Sequence, residues 1–286
     1  MDTKCVSLVF FFILAATSVI CRARCEFISK TSSTQENDAK LGIFHGHKTT
    51  IKKHPYLVAL VTDGSLDCAG AIVGRSWVLT AGICGENVDP ARTTVVAGSS
   101  DYSTGQEYQI QEVKVHPNYS QLLDYDYACV QVKGRFRWGR TVRPARLPQQ
   151  KPTINTTMVV AGWGHTKPDE VEGFNRGLRE GKMYWFNTTV CNFSFYNLTW
   201  SDRMSCAYNP GKTTLCTNDW GDPFINKGVV YGIFIAVSST GYCTKHAFPV
   251  ILADVFAVTS WINNTTNVEN PLANYNVKTN LICLLL

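Results

Sequence analysis

The sequence predicts an all-β fold. From residue 43 onward, short β-type runs are interrupted at close intervals by Gly, Pro and Asn, a spacing typical of sandwiches and barrels. One helix is expected near the end, around Phe256–Asn263, and the two prolines of Arg143–Pro148 indicate a connection between two β halves. The runs are Tyr56–Val61, Ala71–Val73, Trp77–Thr80, Thr94–Ala97, Cys129–Val132, Met158–Ala161, Val229–Val237 and Val250–Ala253.

The composition is that of a globular protein. The chain has 286 residues, of which 45% are hydrophobic and 17% charged, so one or two domains with a full core are expected. The net charge of +5 is mild. The basic stretches Arg135–Arg140 and Lys52–Lys53 carry no nucleic-acid motif, and we interpret both as solvated surface. No nucleic-acid partner is predicted.

The amino-terminal segment is predicted to be a signal peptide. Lys4 provides a basic start, Val6–Ile20 is apolar, and small or polar residues follow over Ser18–Ala23. This assigns residues 1–23 to the signal and 24–42 to a polar leader. We therefore expect a secreted, extracellular protein with no stable membrane insertion. The apolar end of the C-terminal extension, residues 265–286, is too short for a glycolipid-anchor signal.

Glycosylation sequons agree with this route. Seven sites match N-x-[ST], and the last two overlap. A glycosylated surface is therefore predicted at Asn118, Asn155, Asn187, Asn192, Asn197, Asn263 and Asn264.

The eleven cysteines do not all pair within the mature chain. Cys5 and Cys21 leave with the signal, so an odd number remains. Cys129 lies in a predicted strand and is expected to be a buried thiol. Cys25 and Cys283 are left to pair with each other or to form an intermolecular disulfide.

Six segments in sequence order resemble the chymotrypsin/trypsin-like (S1) serine protease family. They cover about residues 43 to 264 and imply two antiparallel Greek-key β-barrels, about 43–142 and 149–254, with a C-terminal α-helix. The chain is also similar in character to secreted, catalytically inactive insect homologues. The segments are Leu66–Val73 (similar to FCGGSLI), Trp77–Cys84 (WVLTAAHC), Tyr125–Val130 (NDIALI), Ala161–Gly164 (GWG), Cys216–Pro223 (CxGDSGGP) and Ser260–Ile262 (SWI).

The resemblance implies a catalytic triad at positions where only one residue matches. Asp126 stands at the position of the aspartate, but Ile83 stands at that of the histidine and Trp220 at that of the serine nucleophile. An aliphatic side chain cannot accept a proton, and an indole N–H is a donor only. No functional catalytic residue is therefore predicted.

The surroundings of the triad depart from the family as well. The resemblance places two non-glycine residues, Asn218 and Asp222, where the oxyanion-hole motif has glycines, and Ile235 where a serine supports the aspartate. Asp222 would oppose an oxyanion if it faced the cleft. The predicted specificity-pocket positions are Thr214, Val237 and Val250, the last filling the pocket. The implied disulfides are Cys68–Cys84, Cys191–Cys206 and Cys216–Cys243.

Activation by cleavage is not expected either. The new amino terminus in the family would correspond to Ile43, which follows Gly42, and the nearest preceding basic residue is Lys40. We predict a single chain in which Asp219, the family's partner for that terminus, is satisfied by other donors.

The sequence thus predicts a secreted non-catalytic serine protease homologue that acts by protein binding, as a cofactor, decoy or regulator with extracellular protein partners. Two alternatives remain open: an active serine-type endopeptidase with an atypical site, and a disulfide-linked structural or carrier component. No cofactor or metal is predicted, since His45 and His47 lack an evident third ligand. The remaining histidines, among them His54 and His116, are interpreted as loop or surface residues.

Overall fold

A computed structural model gives the structure of the chain. It describes residues 43, 45–120, 123–165, 177–192, 198–216, 218–237 and 248–267. The predicted signal peptide, the leader and nearly all of the C-terminal extension lie outside the described residues. So do Asn197, Cys25, Cys243 and Cys283.

The first half of the chain forms a closed six-stranded antiparallel barrel in the order β2-β3-β4-β7-β6-β5. Short apolar runs form its strands, and turns separate them. Side chains that point into the barrel, such as those of Leu57 and Val130, are buried. Hydrophobic burial of these side chains stabilises the barrel. The strands are β2 (Leu57–Thr62), β3 (Ser65–Ile72), β4 (Trp77–Thr80), β5 (Thr93–Ala97), β6 (Gln106–Val115) and β7 (Ala128–Val132).

The second half forms an equivalent barrel. The order is β8-β9-β10-β13-β12-β11, closed by pairing of β8 with both β9 and β11. In each barrel the third strand thus pairs with the sixth and the first with the fourth, which is the Greek-key arrangement that the resemblance implied. The strands are β8 (Thr157–Gly162), β9 (Arg179–Phe186), β10 (Met204–Tyr208), β11 (Pro223–Asn226), β12 (Val229–Val237) and β13 (Val250–Asp254).

The predicted barrel boundary differs from the structure at its first residues. The strand β1 (His47–Lys48) pairs with β9, and the buried side chain of Ile43 packs in the core of the second barrel. Ile43 and the strand His47–Lys48 therefore belong to the second barrel rather than to the first. An extended segment can cross to the other barrel because an open strand edge accepts it.

Helices are few and short. They are α1 (Gly82–Asn87), α2 (Thr188–Cys191), α3 (Thr259–Thr266) and two 3₁₀ turns, Tyr102–Thr104 and Val255–Val258. The expected C-terminal helix is therefore present as a 3₁₀ turn followed by α3, with Ile262 buried against the core. Within the described ranges, no helix has both the length and the apolar character needed to cross a membrane.

The cysteines behave largely as the resemblance implies. The disulfides Cys68–Cys84 and Cys191–Cys206 are present. Cys216 is also disulfide-bonded, and its predicted partner lies outside the described residues. Cys129 is a free, fully buried thiol, and burial raises its pKa to about 12. The prediction of a buried thiol at Cys129 is confirmed.

Six of the seven sequon asparagines lie in the described part of the chain, and all six reach the surface. Asn263 is half-buried on α3. The exposed ones are Asn118, Asn155, Asn187, Asn192 and Asn264.

Candidate functional site

The three triad positions come together at the junction of the two barrels. Ile83 lies in α1, Asp126 precedes β7, and Trp220 precedes β11. Ile83, Trp220 and Asn218 line a cleft of about 360 Å³ next to the Cys68–Cys84 disulfide. We call this cavity the degenerate cleft. Its walls at Ile83 and Trp220 are apolar, so it offers neither a nucleophile nor a base at these two positions.

Asp126 is bonded to the start of α1. The main-chain N–H of Ile83, the second residue of that helix, donates to Asp126 Oδ1 at 2.9 Å. A helix leaves its first N–H groups without internal acceptors, and a carboxylate can satisfy one of them. The oxygen therefore acts as a helix cap in the structure.

The second carboxyl oxygen of Asp126 has no partner. Asp126 Oδ2 is buried without a hydrogen bond from any described residue. Ile235, at the position where the family has a supporting serine, is buried and apolar. Burial raises the pKa of Asp126 to about 6, against the opposing effect of main-chain N–H groups at Ile83 and Gly82.

Trp220 lies in the loop that leads into β11, where it contacts both barrels. Its indole is partly buried and packs against the cores of both. Its carbonyl accepts from Ala69 N–H at 2.8 Å, and the following Gly221 N–H donates to the Phe234 carbonyl at 3.0 Å. The segment that carries the nucleophile in the family is thus held on both sides, with a large aromatic side chain in its place.

Asn218 keeps the backbone conformation of a glycine. Its φ is +66°, in the left-handed region that Asn tolerates better than most residues. Its side-chain amide donates to the Leu66 carbonyl at 2.9 Å. Asn218 therefore preserves the turn while its side chain ties the second barrel to the first at the mouth of the degenerate cleft.

Asp219 and Asp222 form a fully buried carboxyl pair. Asp219 accepts main-chain hydrogen bonds from Cys216 and Gly164 at 2.8 and 3.0 Å, so other donors satisfy it, as predicted. Asp222 receives no donor from a described N–H or hydroxyl and contacts the Asp219 carboxyl. Burial raises the pKa of Asp222 far above its usual range and that of Asp219 to about 7. Burial beside the Asp219 carboxyl therefore favours the protonated, neutral form of Asp222.

The expectation that Asp222 could oppose an oxyanion does not hold. Its carboxyl points into the protein against Gly162, where an added Cβ would lie 2.1 Å from Asp222 Oδ2. Asp222 is completely buried and does not line the degenerate cleft. The carboxyl takes this direction because two glycines, Gly162 and Gly164, leave room for it and for Asp219.

The predicted specificity-pocket positions lie in the second barrel. Val250 is fully buried among apolar side chains such as Leu215 and Phe234. Thr214 is fully buried with an unpartnered hydroxyl, and Val237 is half-buried at the end of β12. None of the three lines the degenerate cleft. Residues 238–247, next to them in the chain, lie outside the described residues.

A second polar cluster, which sequence reasoning missed, surrounds His54. His54 and His116 both lie in loops, as one part of the prediction had it, but both are buried, so they are not surface residues. His54 Nε2 lies 2.5 Å from Glu180 Oε2, and Nδ1 lies 2.9 Å from the Tyr56 hydroxyl. The two partners come from β9 and from the start of β2, so the only local signal was the i, i+2 spacing of His54 and Tyr56.

This cluster does not reproduce a triad. A base in a triad uses one ring nitrogen for the carboxylate and the other for a nucleophilic hydroxyl. The hydroxyl on Nδ1 of His54 belongs to Tyr56, which is buried, and burial raises its pKa well above the usual value. The Thr49 hydroxyl donates a hydrogen bond to Glu180 Oε2 at 2.8 Å. The residues therefore form a closed polar network between β9 and the entry to β2.

No group of three or more His, Cys, Asp or Glu residues in the described ranges is arranged to hold a metal ion. His47, half of the pair noted in the sequence, instead contacts Glu180 Oε1 at 2.8 Å.

Comparison with known proteins gives one consistent result. A family profile described as Trypsin matches residues 43–262. The chain is 31% identical to granzyme M of Homo sapiens over 78% of this chain and 89% of that protein. It is 30% identical to a trypsin of Sarcophaga bullata over 82% and 92%, respectively. A solved structure of neuropsin, described as a serine protease expressed in the limbic system of mouse brain, superposes with a TM-score of 0.71. That match has 23% identity and covers 78% of this chain and all of the other.

Proposed function

Because the chain belongs to the trypsin family of serine proteases, we propose that it is a secreted, non-catalytic member that acts by binding extracellular proteins. One observation carries the proposal: an indole and an aliphatic side chain occupy the nucleophile and base positions of the degenerate cleft, at Trp220 and Ile83. The family reaction requires a hydroxyl and an imidazole there.

The state of Asp126 supports the same conclusion. In the family reaction, this carboxylate holds an imidazole in the productive tautomer and stabilises its charge. Here Oδ1 is occupied by a main-chain N–H and Oδ2 has no described donor. A carboxyl with a pKa near 6 in an apolar setting has no catalytic partner within the site.

A binding role fits what the chain retains. The two closed barrels and the Cys68–Cys84 disulfide form a rigid frame around the degenerate cleft. A rigid scaffold with surface loops suits recognition without chemistry. We propose a cofactor, decoy or regulator in an extracellular proteolytic or secreted-fluid network. The predicted signal peptide and the surface sequons support this location.

Two other functions stay as alternatives. The relatives include proteins named trypsin, and among the described residues the His54–Glu180 contact resembles half of a triad, so an active endopeptidase with an atypical site is the first. The second is a disulfide-linked structural or carrier component joined through Cys25 or Cys283. Dimers that disappear on reduction would favour it.

A peptide-cleavage assay tests the proposal. The mature protein is incubated with a diverse set of internally quenched peptides beside trypsin at the same concentration. We expect no turnover above the buffer blank. Turnover that disappears in His54→Gln, prepared in the same way, would establish an atypical enzyme and contradict the proposal.

The binding role needs a separate measurement. Proteins retained from the native fluid by the immobilised protein are purified, and their affinities are measured against the wild type and Trp220→Ala. We expect at least one partner with micromolar or tighter affinity. If no purified protein reproduces the interaction, the binding role is wrong even though the chain is inactive.

A further inference from the structure

A second cavity, of about 450 Å³, lies between the entry to β2, β9 and the β11–β12 turn. It shares no lining residue with the degenerate cleft. We call it the cationic cleft because its lining carries five permanently charged basic side chains against one carboxylate. The basic residues are Lys52, Lys53, Arg143, Lys182 and Lys227, and the carboxylate is Glu180.

Most of this positive charge is not neutralised within the described chain. Of the five basic residues, Lys53 alone has an ion pair among the described residues, at 3.6 Å from Glu180. The side chains of Lys182 and Lys227 are exposed on opposite sides of the cleft, on β9 and on the β11–β12 turn. Like charges held around one concavity raise the local potential and attract anions.

Glu180 offsets only part of this potential, because it is one carboxylate against five basic side chains. It accepts from Thr49 and contacts His54 and His47. Burial raises its pKa, but these three hydrogen bonds outweigh burial and lower the pKa to about 2. The carboxylate is thus held at the base of the cleft mainly by Thr49, His54 and His47, and Lys53 is the one cleft lysine paired with it among the described residues.

The basic surface continues beyond the cleft. Arg143 lines the cleft, and its guanidinium Nε donates to the Gly139 carbonyl at 3.0 Å. Gly139 belongs to the loop that carries the exposed residues Arg135, Arg137 and Arg140. A ligand seated in the cleft and leaving past Arg143 would therefore meet a second set of positive charges. This geometry suits a polymer better than a single small anion.

We propose that the cationic cleft binds a segment of a sulfated polysaccharide. Four of the five basic residues are lysines, whose compact ammonium groups act as point charges, whereas paired arginine forks match planar carboxylates. A single-stranded nucleic acid would need aromatic platforms for its bases. The aromatic rings lining this cleft are Tyr56, which is buried with its hydroxyl on His54, and the imidazoles of His54 and His47, which both contact Glu180. The proposal is independent of whether the degenerate cleft is catalytic.

Titration calorimetry with a heparin-derived hexasaccharide tests the proposal on the full mature protein. A fully desulfated hexasaccharide, a single-stranded DNA oligomer and inorganic polyphosphate are the comparison ligands. The test variant is Lys182→Gln/Lys227→Gln. The matched control is Lys114→Gln/Lys212→Gln, which removes the same charge from exposed positions that do not line the cleft.

We expect the sulfated hexasaccharide to bind, the desulfated one not to bind, and affinity to fall steadily as salt is raised. The test variant should bind about tenfold more weakly, roughly threefold for each charge lost, with the control within about twofold of the wild type. All four lysines are exposed, so melting temperatures should not change. If both variants lose the same amount of affinity, the loss depends on net charge alone, and the proposal is overturned. Absence of binding, or tighter binding of DNA or polyphosphate, would overturn it as well.

Discussion

The main-chain N–H of Ile83 donates to the Asp126 carboxyl, so this aspartate holds the start of a helix. The contact links the start of α1 in the first barrel to the segment that leads into β7. It explains why an aspartate can persist at this position in a chain without the other two triad residues. Its contribution is structural, and it can be measured as stability.

Replacing Asp126 should therefore cost stability. In Asp126→Ala the N–H of Ile83 loses its acceptor, and we expect a loss of about 1–2 kcal/mol in the free energy of unfolding. Asp126→Asn keeps an acceptor oxygen and serves as the control. Denaturant unfolding at pH 5, where a group with a pKa near 6 is mostly protonated, compares the two without the cost of a buried charge. Equal stability of the alanine and asparagine variants would show that the contact contributes nothing.

The Asp219–Asp222 pair should make stability depend on pH. Both carboxyls have a pKa raised above the ordinary value of 3.8 in the folded state. Their stabilising contribution is therefore complete below about pH 4 and is lost as pH rises through the folded pKa values, which lie at about 7 for Asp219 and well above 3.8 for Asp222.

Asp222→Asn isolates this effect. The amide cannot ionise and still donates to Asp219, so the variant should be more stable than the wild type at pH 8, by on the order of 2 kcal/mol. The advantage should shrink towards pH 4. The measurement is the difference in melting temperature between the two proteins across pH 4–8. Titration of His54 and of other groups affects both proteins equally, so it cancels in this difference. A difference that stays constant with pH would contradict the protonated pair.

The carboxyl pair also predicts which glycine is essential. An added Cβ at Gly164 would lie 2.1 Å from Asp219 Oδ1 and 2.4 Å from its Cγ, both in a fully buried site. We expect Gly164→Ala to destabilise the protein by about 1–3 kcal/mol or more. Gly139→Ala is the matched control, because nothing lies within 4 Å of its added Cβ. Equal melting temperatures for the two variants would place the Asp219 carboxyl elsewhere.

Much of the fold could be predicted from the sequence, because the short β runs and the six resembling segments are local patterns. Trp77–Thr80 and Cys129–Val132 were read as strands, and they pair with each other as β4 and β7. The crossing of Ile43 and β1 to the second barrel was not predicted. Its cause is the pairing of His47 with Glu180, 133 residues away, which leaves no local signal.

The sequence motifs predict which residues stand at the candidate site, but they do not predict the contacts that those residues make. Ile83, Asp126 and Trp220 lie at one junction, as their places in the pattern imply. The inward turn of Asp222 depends on space above Gly162, and the His54 cluster depends on a carboxylate from β9. Both are decided by tertiary packing between distant strands.

Restoring two triad residues should not restore an enzyme. Ile83→His with Trp220→Ser returns the residue types, but Ile235 leaves Asp126 Oδ2 without its serine and Val250 stays in the apolar core. We expect no peptide turnover in the double variant, measured against trypsin diluted to one part in about 10⁴, a range that covers the typical contribution of a general base. Turnover that depends on the restored serine would mean that the site is less altered than we infer.

Labelling with a fluorophosphonate probe tests the central claim most directly, because the probe reacts with an activated serine and requires no knowledge of the substrate. The mature protein, trypsin as a positive control and heat-unfolded protein as a blank are treated together, and intact masses are recorded. The account predicts a mass shift in trypsin and none in this protein. A stoichiometric adduct on the folded chain that is absent after unfolding would contradict it.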